Sequence, residues 1–338
     1  NGCNLETIFD FNGTKYITFG YAPERTFERC IEFNGTNDFI NSGHSPNLNL
    51  GTNFTVSAWV KRGNTGTILS KRNNFTEGYD LRFDGAGRLQ MRWLNGATTQ
   101  TALSNTPIPT GRWHYVAVTY DGTNARIYID GVLDRTQALA APSGSNTHEF
   151  LVGAANAVSP GVFYQGGLDE IRLWNVSLTE QQLRFIMNQE IERHTDGTTY
   201  GLVIPQNITS NDVATLPWAN LALYYPMSTY TYTNVKDKSE NNITGALKNL
   251  TTVDRQTAPL PHVSSTNGNW NTATTWLNNT VNVIPHSPSI VNSAINVNWN
   301  IVRINSNVTT TANRDVLGLF VNSTGRFNVQ IDTKSDIS

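Results

Sequence analysis

The stretch from Gly111 to Asp134, GRWHYVAVTYDGTNARIYIDGVLD, restricts the possible folds of this chain more than any other. Trp113 to Tyr120 is an aromatic and β-branched run with one polar position at His114. In the second half Ala125, Ile127 and Ile129 alternate with Arg126, Tyr128 and Asp130. A period of two is that of strands whose side chains point alternately to two faces. Asp121-Gly122 and Asp130-Gly131 supply residues that tolerate positive φ where the chain must reverse. Two turns so close together fix the strand register, and register decides which side chains face a core.

From Ile31 onward strand patterns of this kind recur, closed by Asn34-Gly35, Asn64-Thr65-Gly66, Asp84-Gly85 and Asn95-Gly96. Many short strands punctuated in this way indicate an all-β antiparallel sandwich. A parallel α/β fold would need helical crossovers, and no helical pattern appears before Ser177. There, Ser177-Leu178-Thr179-Glu180 reads as a capping box, and Leu183, Ile186, Met187 and Ile191 follow at helical spacing.

Four segments carry a resemblance. CIEFNGTNDFINSG (Cys30 to Gly43), FTVSAWVKR (Phe54 to Arg62), WHYVAVTYDG with IYIDG, and GGLDEIRLWNVSLTEQQL (Gly166 to Leu183) stand in that order. Together they resemble laminin-G-like domains, the concanavalin A-like jelly rolls of lectins, pentraxins and bacterial surface proteins. The resemblance implies a jelly-roll sandwich with one short helix after its last motif strand. It also implies completion of the sandwich by a later segment, here Leu221 to Ser228 and Val235 to Leu250. The expected first domain is therefore 1–257, with 1–29 as an edge segment.

Composition shifts at Ala258-Pro259-Leu260-Pro261 into a smaller β-rich segment, 258–338. Its apolar runs are Ile295, Val297, Trp299 and Ile301; Val302 and Ile304; Leu317, Leu319 and Val321; and Phe327, Val329 and Ile331. They fit either a parallel β-solenoid, each unit stacked on the next, or a small sandwich. NGNWNTATTW (Asn267 to Trp276) resembles the opening of repeat regions in large surface proteins of gliding bacteria. That resemblance implies a gliding-motility-type adhesin exported by the Bacteroidota route.

Charged residues are 15% of the chain, against about 25% in ordinary globular domains. Lys plus Arg number 24 and Asp plus Glu 26, a net charge of -2, and no basic cluster tracks a phosphate backbone. Nucleic acid is excluded as a partner on that basis. No apolar run approaches the roughly 18 residues of a membrane span, and NGCNLETIFDF is not a signal peptide. Lacking an initiating Met, the chain reads as a piece of something larger. Cys3 and Cys30 either close one disulfide, which would place the protein in an oxidising, extracellular setting, or remain two thiols.

Jelly-roll glucanases set an acid and a nucleophile about 5 Å apart on alternate positions of one strand. Asp169 and Glu170 are neighbours facing opposite ways, and Asp80 and Asp84 flank Arg82 in a turn-bounded strand. There is no G-x-S-x-G, H-E-x-x-H or cysteine-pair motif either, so the expectation is a non-catalytic protein. His114 reads as a packed or edge residue. Calcium takes oxygen donors at loop corners, weakly in extracellular modules. Carried over from the resembling family, Asp38 and Asp169 would be side-chain ligands, with Asn34 or Gly35 offering carbonyls and Asp237 and Asn241 as further donors. The other reading has Asp38 capping a turn and Asp169 accepting backbone N–H groups.

Sugar rings stack on exposed aromatic faces rimmed by hydrogen-bonding groups. Trp59, Trp113 and Trp174 lie within the strand motifs and read as core. Tyr79, Trp93 and Phe163-Tyr164 remain as candidates, with Arg82, Arg92 and Gln165 beside them; of these, Tyr79, Trp93, Tyr164 and Arg92 form the expected glycan site. The resulting expectation is an extracellular adhesion module that binds glycan, another polymer surface or another surface protein, with structural calcium. The alternatives are a carbohydrate-binding module of a secreted polysaccharide-degrading enzyme and a structural spacer or protein-docking domain.

Overall fold

The computed structural model describes residues 7–11, 14–18, 25–26, 30–74, 76–205, 215–230, 233–250 and 257–330. Two antiparallel sheets face each other. The first runs in the order Val132–Ala138, Asn124–Ile129, Trp113–Tyr120, Phe54–Arg62, Gln165–Trp174, Leu221–Tyr225. Ile31–Asn34 also pairs with Gln165–Trp174, covering its first half while Leu221–Tyr225 covers the second. The second sheet, of ten strands, includes Thr98–Pro107, Arg88–Asn95, Tyr79–Phe83, Gly66–Lys71, Leu151–Val152, Phe39–Asn41 and Gly245–Lys248 as successive neighbours. This is the all-β jelly-roll sandwich with one short α-helix expected from the motifs. At the hairpin, Asp130 (φ 50°) and Gly131 (φ 77°) make the reversal with positive φ at both central residues.

The unbroken Trp113–Tyr120 run has a direct physical cause: every residue of that strand is buried. Val116, Val118 and Tyr120 point into the core between the sheets with Val56, Ala58 and Val60. Trp113, Tyr115 and Ala117 point the other way, into a second core with Trp59, Trp174, Leu183, Ile186 and Met187. A strand covered on both faces reads as continuous apolar sequence rather than as alternation.

The helix supplies much of that outer cover, spanning Glu180–Ile186. Its cap is not Ser177 with Glu180, as the sequence suggested, but Thr179 with Gln182, the two side chains satisfying each other's backbone N–H. Thr55 explains the offset, because its hydroxyl donates to Val176 O and accepts from Leu178 N, holding 176–178 out of the helix. Glu180 instead pairs with Arg184. Ile191 leaves the helix and opens a two-stranded ribbon, Ile191–Arg193 with Thr199–Gly201.

Beyond residue 257 the pairing becomes parallel. His262–Val263, Ile301–Ile304 and Gly318–Val321 form one ladder, and Gly268–Asn269, Asn307–Thr310 and Arg326–Val329 another. Of the two arrangements the sequence allowed, this is the solenoid-like one, with Trp270, Trp276, Val302, Ile304 and Val308 stacked inside. Ile295 and Val297 lie in irregular chain on either side of an isolated Asn296–Pro288 bridge, and Trp299 lies in a turn. Trp299 instead docks the segment on the sandwich: its Nε1 donates to Asp130 O (2.9 Å), and the Arg184 guanidinium lies 3.6 Å from its ring centroid. Ala258 belongs to the sandwich's second core, and Asn188 Nδ2 donates to Pro259 O at 2.9 Å.

Candidate functional site

Three of the four expected glycan residues are core residues. Tyr79, Trp93 and Tyr164 are 2%, 0% and 0% exposed. Tyr79 and Trp93 are cross-strand partners on the inward face, which they share with Leu81, Phe83, Leu89 and Met91. Their polar atoms are spent on backbone: Tyr79 Oη donates to Leu48 O (2.6 Å), Trp93 Nε1 to Ala140 O (2.8 Å) and Tyr164 Oη to Gly167 O (3.3 Å). Burial pushes both tyrosine hydroxyls well above their usual pKa. Proximity to turn residues suggested exposure, but the strand period decides it. Arg92 does point outward, yet its Nε and Nη2 are held by the buried Asp80 at 2.9 and 2.5 Å, a carboxylate that Arg72 shares.

The expected calcium donors are also separated. Asn34 Oδ1 accepts the N–H groups of Thr36, Asn37 and Asp38, and Asp38 Oδ2 accepts Asn34 N at 3.0 Å. Gly35 lies against Gln165, where a Cβ would come within 2.8 Å of the Gln165 Cβ. This turn meets the long strand at Gln165, four residues from Asp169 and so roughly 13 Å along it. Asp169 is occupied elsewhere: Oδ2 accepts Thr257 Oγ1 (2.9 Å) and Ala258 N (3.1 Å), and Oδ1 accepts Glu170 N (3.0 Å). Complete burial outweighs those donors and raises its pKa to about 8. Asp38 and Asp169 are therefore engaged by different stretches of backbone. Asp237 likewise accepts from Tyr224 N, Ser239 N and Ile243 N, and Asn241 Nδ2 donates to Ala222 O. Among the described residues no group of three or more His, Cys, Asp and Glu could hold a metal. Cys30 is buried in the second core, and Cys3, with the expected disulfide, lies outside the described residues.

What the fold does present is an aromatic pair missing from the expected set. In Phe39–Asn41 the middle residue, Ile40, is fully buried, so Phe39 faces out from the ten-stranded sheet. The chain between Val152 and Gln165 brings Phe163 back beside it, with ring centroids 6.3 Å apart and planes at 41°. Both rings are half-buried, and Val162 next to them is 44% exposed. The tight return depends on Gly66, whose Cα approaches Phe163 so closely that a Cβ would stand 2.4 Å from Phe163 O. Polar groups surround the pair. Gln165 is exposed two residues from Phe163, Lys248 pairs with Phe39, and Asn249 Nδ2 donates to Asn37 O at 2.8 Å. An apolar ring surface with an amide rim can stack the C–H face of a sugar while the rim meets its hydroxyls.

Residues 34–184 match the family model described as the concanavalin A-like lectin/glucanases superfamily, of the laminin G type. That span contains the Asn34–Asp38 turn, both phenylalanines and the long strand. No curated protein matches the chain in sequence. Among solved structures it is similar to one from Bacteroides ovatus described as carbohydrate-binding, at 21% identity and a TM-score of 0.46 over 69% of this chain. The chain spans 60% of the length of that protein. It is also similar to domain 4 of AbnA, an extracellular arabinanase of Geobacillus stearothermophilus, in complex with arabinotriose. There the identity is 21% and the TM-score 0.35, over 53% of this chain and 80% of the other. A third is the CBM40 of a Ruminococcus gnavus sialidase bound to α2,3-sialyllactose, at 15% identity and a TM-score of 0.38 over 48% and 97%.

Proposed function

We propose that the protein is a non-catalytic, extracellular glycan-binding module, with Phe39 and Phe163 as its stacking surface and Asn37, Gln165 and Asn249 as its rim. The observation that carries this reading is the outward-facing, partly exposed pair of Phe39 and Phe163 beside a sheet whose Tyr79, Phe83 and Trp93 are buried. The parallel-stacked segment after residue 257 favours a surface adhesin over the module of a degradative enzyme, because stacked coils extend in one direction and hold a binding domain away from its anchor. No helix among the described residues is long and apolar enough to cross a membrane.

Calcium belongs to this proposal only at the Asn34–Asp38 turn, where Asp38 Oδ1 is buried without a hydrogen-bond partner and burial raises the carboxyl's pKa. Asp38, with carbonyls of the turn, would hold the ion there and stiffen the loop beside Phe39. A glycan array probed with the intact chain tests the main reading: binding to one or more polysaccharides is expected, and a blank array refutes it. A melt with and without chelator tests the cation, whose presence predicts a lower midpoint on chelation.

A further inference from the structure

At the far end of the long strand the loops enclose a groove of about 440 Å³. It follows Trp174 directly, whereas the phenylalanine pair lies at the Gln165 end. Ten residues of strand separate the two, or roughly 30 Å. The wall is formed chiefly by Asn47, Asn49, Thr52, Asn53, Asn175 and Asn241, and none of its ten lining residues is ionisable.

The groove is built rather than incidental. Leu48 is fully buried beneath it, and the core residue Tyr79 donates to its carbonyl, anchoring the Pro46–Leu48 turn. Asn47 Nδ2 donates to Asn241 Oδ1 at 2.7 Å, tying two loops that are 194 residues apart. Asn241 Nδ2 is itself fixed on Ala222 O. These bonds hold the wall, along which Asn47, Asn53 and Asn175 are exposed. An amide offers two donors and an acceptor with two lone pairs, the complement of a vicinal diol. With no charge in the wall, nothing would compensate a desolvated carboxylate or sulfate, which costs more than a hydroxyl to bury.

We infer that this groove is a second glycan-contact site, selective for uncharged, hydroxyl-rich chains. The inference rests on the glycan-binding reading above and names the class of polymer. Two contacts roughly 30 Å apart, at opposite ends of the long strand, would let a long polymer engage both, so that the second contact forms at high effective concentration.

The test is side-chain amide NMR on the full chain. Xylohexaose, mannohexaose, cellohexaose and arabinohexaose are titrated in turn, with oligogalacturonate as the charged comparison. At least one neutral hexaose should shift the Asn53 and Asn175 amide signals, in the native protein and equally in the Phe39→Ala/Phe163→Ala variant. Asn175→Trp, which fills the groove, should weaken that titration at least tenfold with an unchanged melting temperature; Asn47→Ala, a smaller change that releases Asn241, should weaken it in the same direction. If a hexaose moves signals at the phenylalanine pair but leaves the groove amides still, the second site is refuted and the first stands. Movement of the groove amides by oligogalacturonate alone refutes the neutral class, and silence everywhere refutes the inference along with the reading beneath it.

Discussion

Glu170→Gln removes the carboxylate of a completely buried ion pair. Glu170 contacts Arg172 and accepts from Tyr224 Oη (2.9 Å), and Arg172 donates to Ile186 O and Gln189 O, both at 2.8 Å. The network thus ties the long strand to the end of the helix and to Leu221–Tyr225. Burial alone would lower the Arg172 pKa, but Glu170 and the hydroxyls of Tyr224 and Tyr115 outweigh it, so the guanidinium stays protonated. The variant leaves that cation buried without its counter-charge, which costs about 3–5 kcal/mol. That is a large share of the roughly 5–15 kcal/mol that holds a domain folded. At about 2–4 °C per kcal/mol it corresponds to a midpoint drop of roughly 6–20 °C. Urea unfolding followed by tryptophan fluorescence measures it. Glu170→Gln/Arg172→Met should recover most of the loss, since removing both charges leaves no orphan. A single variant within about 1 kcal/mol of the native protein, or a double variant no better than the single, would refute this account of the second core.

Asp169 makes stability fall as pH rises. Its folded pKa of about 8 lies above the reference of 3.8, so the folded state keeps a proton that the unfolded state releases. The stabilisation is full below about pH 4 and is lost by about pH 8, at up to about 1.4 kcal/mol per unit. Urea titrations across that range should show a flatter profile for Asp169→Asn than for the native chain, and identical slopes would contradict the assignment. Thr179→Ala removes the helix cap and should lower stability by about 1 kcal/mol, whereas Ser177→Ala should change it little; the reverse order would restore the cap to Ser177. Asp38→Ala should abolish any effect of chelator on the melt, and a chelator effect that survives it would move the cation elsewhere.

The sandwich was legible because its motif strands carry their turns with them, and register follows from Asp121-Gly122 and Asp130-Gly131. The site was less so. The turns flanking Tyr79 and Trp93 suggest exposure, although alternation along YDLRF and RLQMRW already puts both on the same side as Leu81, Phe83, Leu89 and Met91. The same alternation in DFIN, with Ile40 inward, would have turned Phe39 outward. Phe163 adjoins Tyr164, and no periodic signal in that loop tells which of the two is buried. The first parallel rung was invisible for another reason. Its partners lie 40 residues ahead, His262 to Val302 and Gly268 to Val308, against 17 and 19 residues at the next step, so an inserted stretch hides the repeat. The pairing of Asp38 with Asp169 came by resemblance alone, and the hydrogen bonds of Thr257 and Ala258 to Asp169 have no sequence signature.

The central claim, that glycan stacks on the outward phenylalanine pair, is tested most directly by calorimetric titration of one array-positive polysaccharide into the native chain and into Phe39→Ala/Phe163→Ala, both shown folded by circular dichroism. Each aromatic contact contributes about 0.5–1.5 kcal/mol, so the double variant should bind roughly 5- to 150-fold more weakly. Equal affinity in the two proteins would contradict the account.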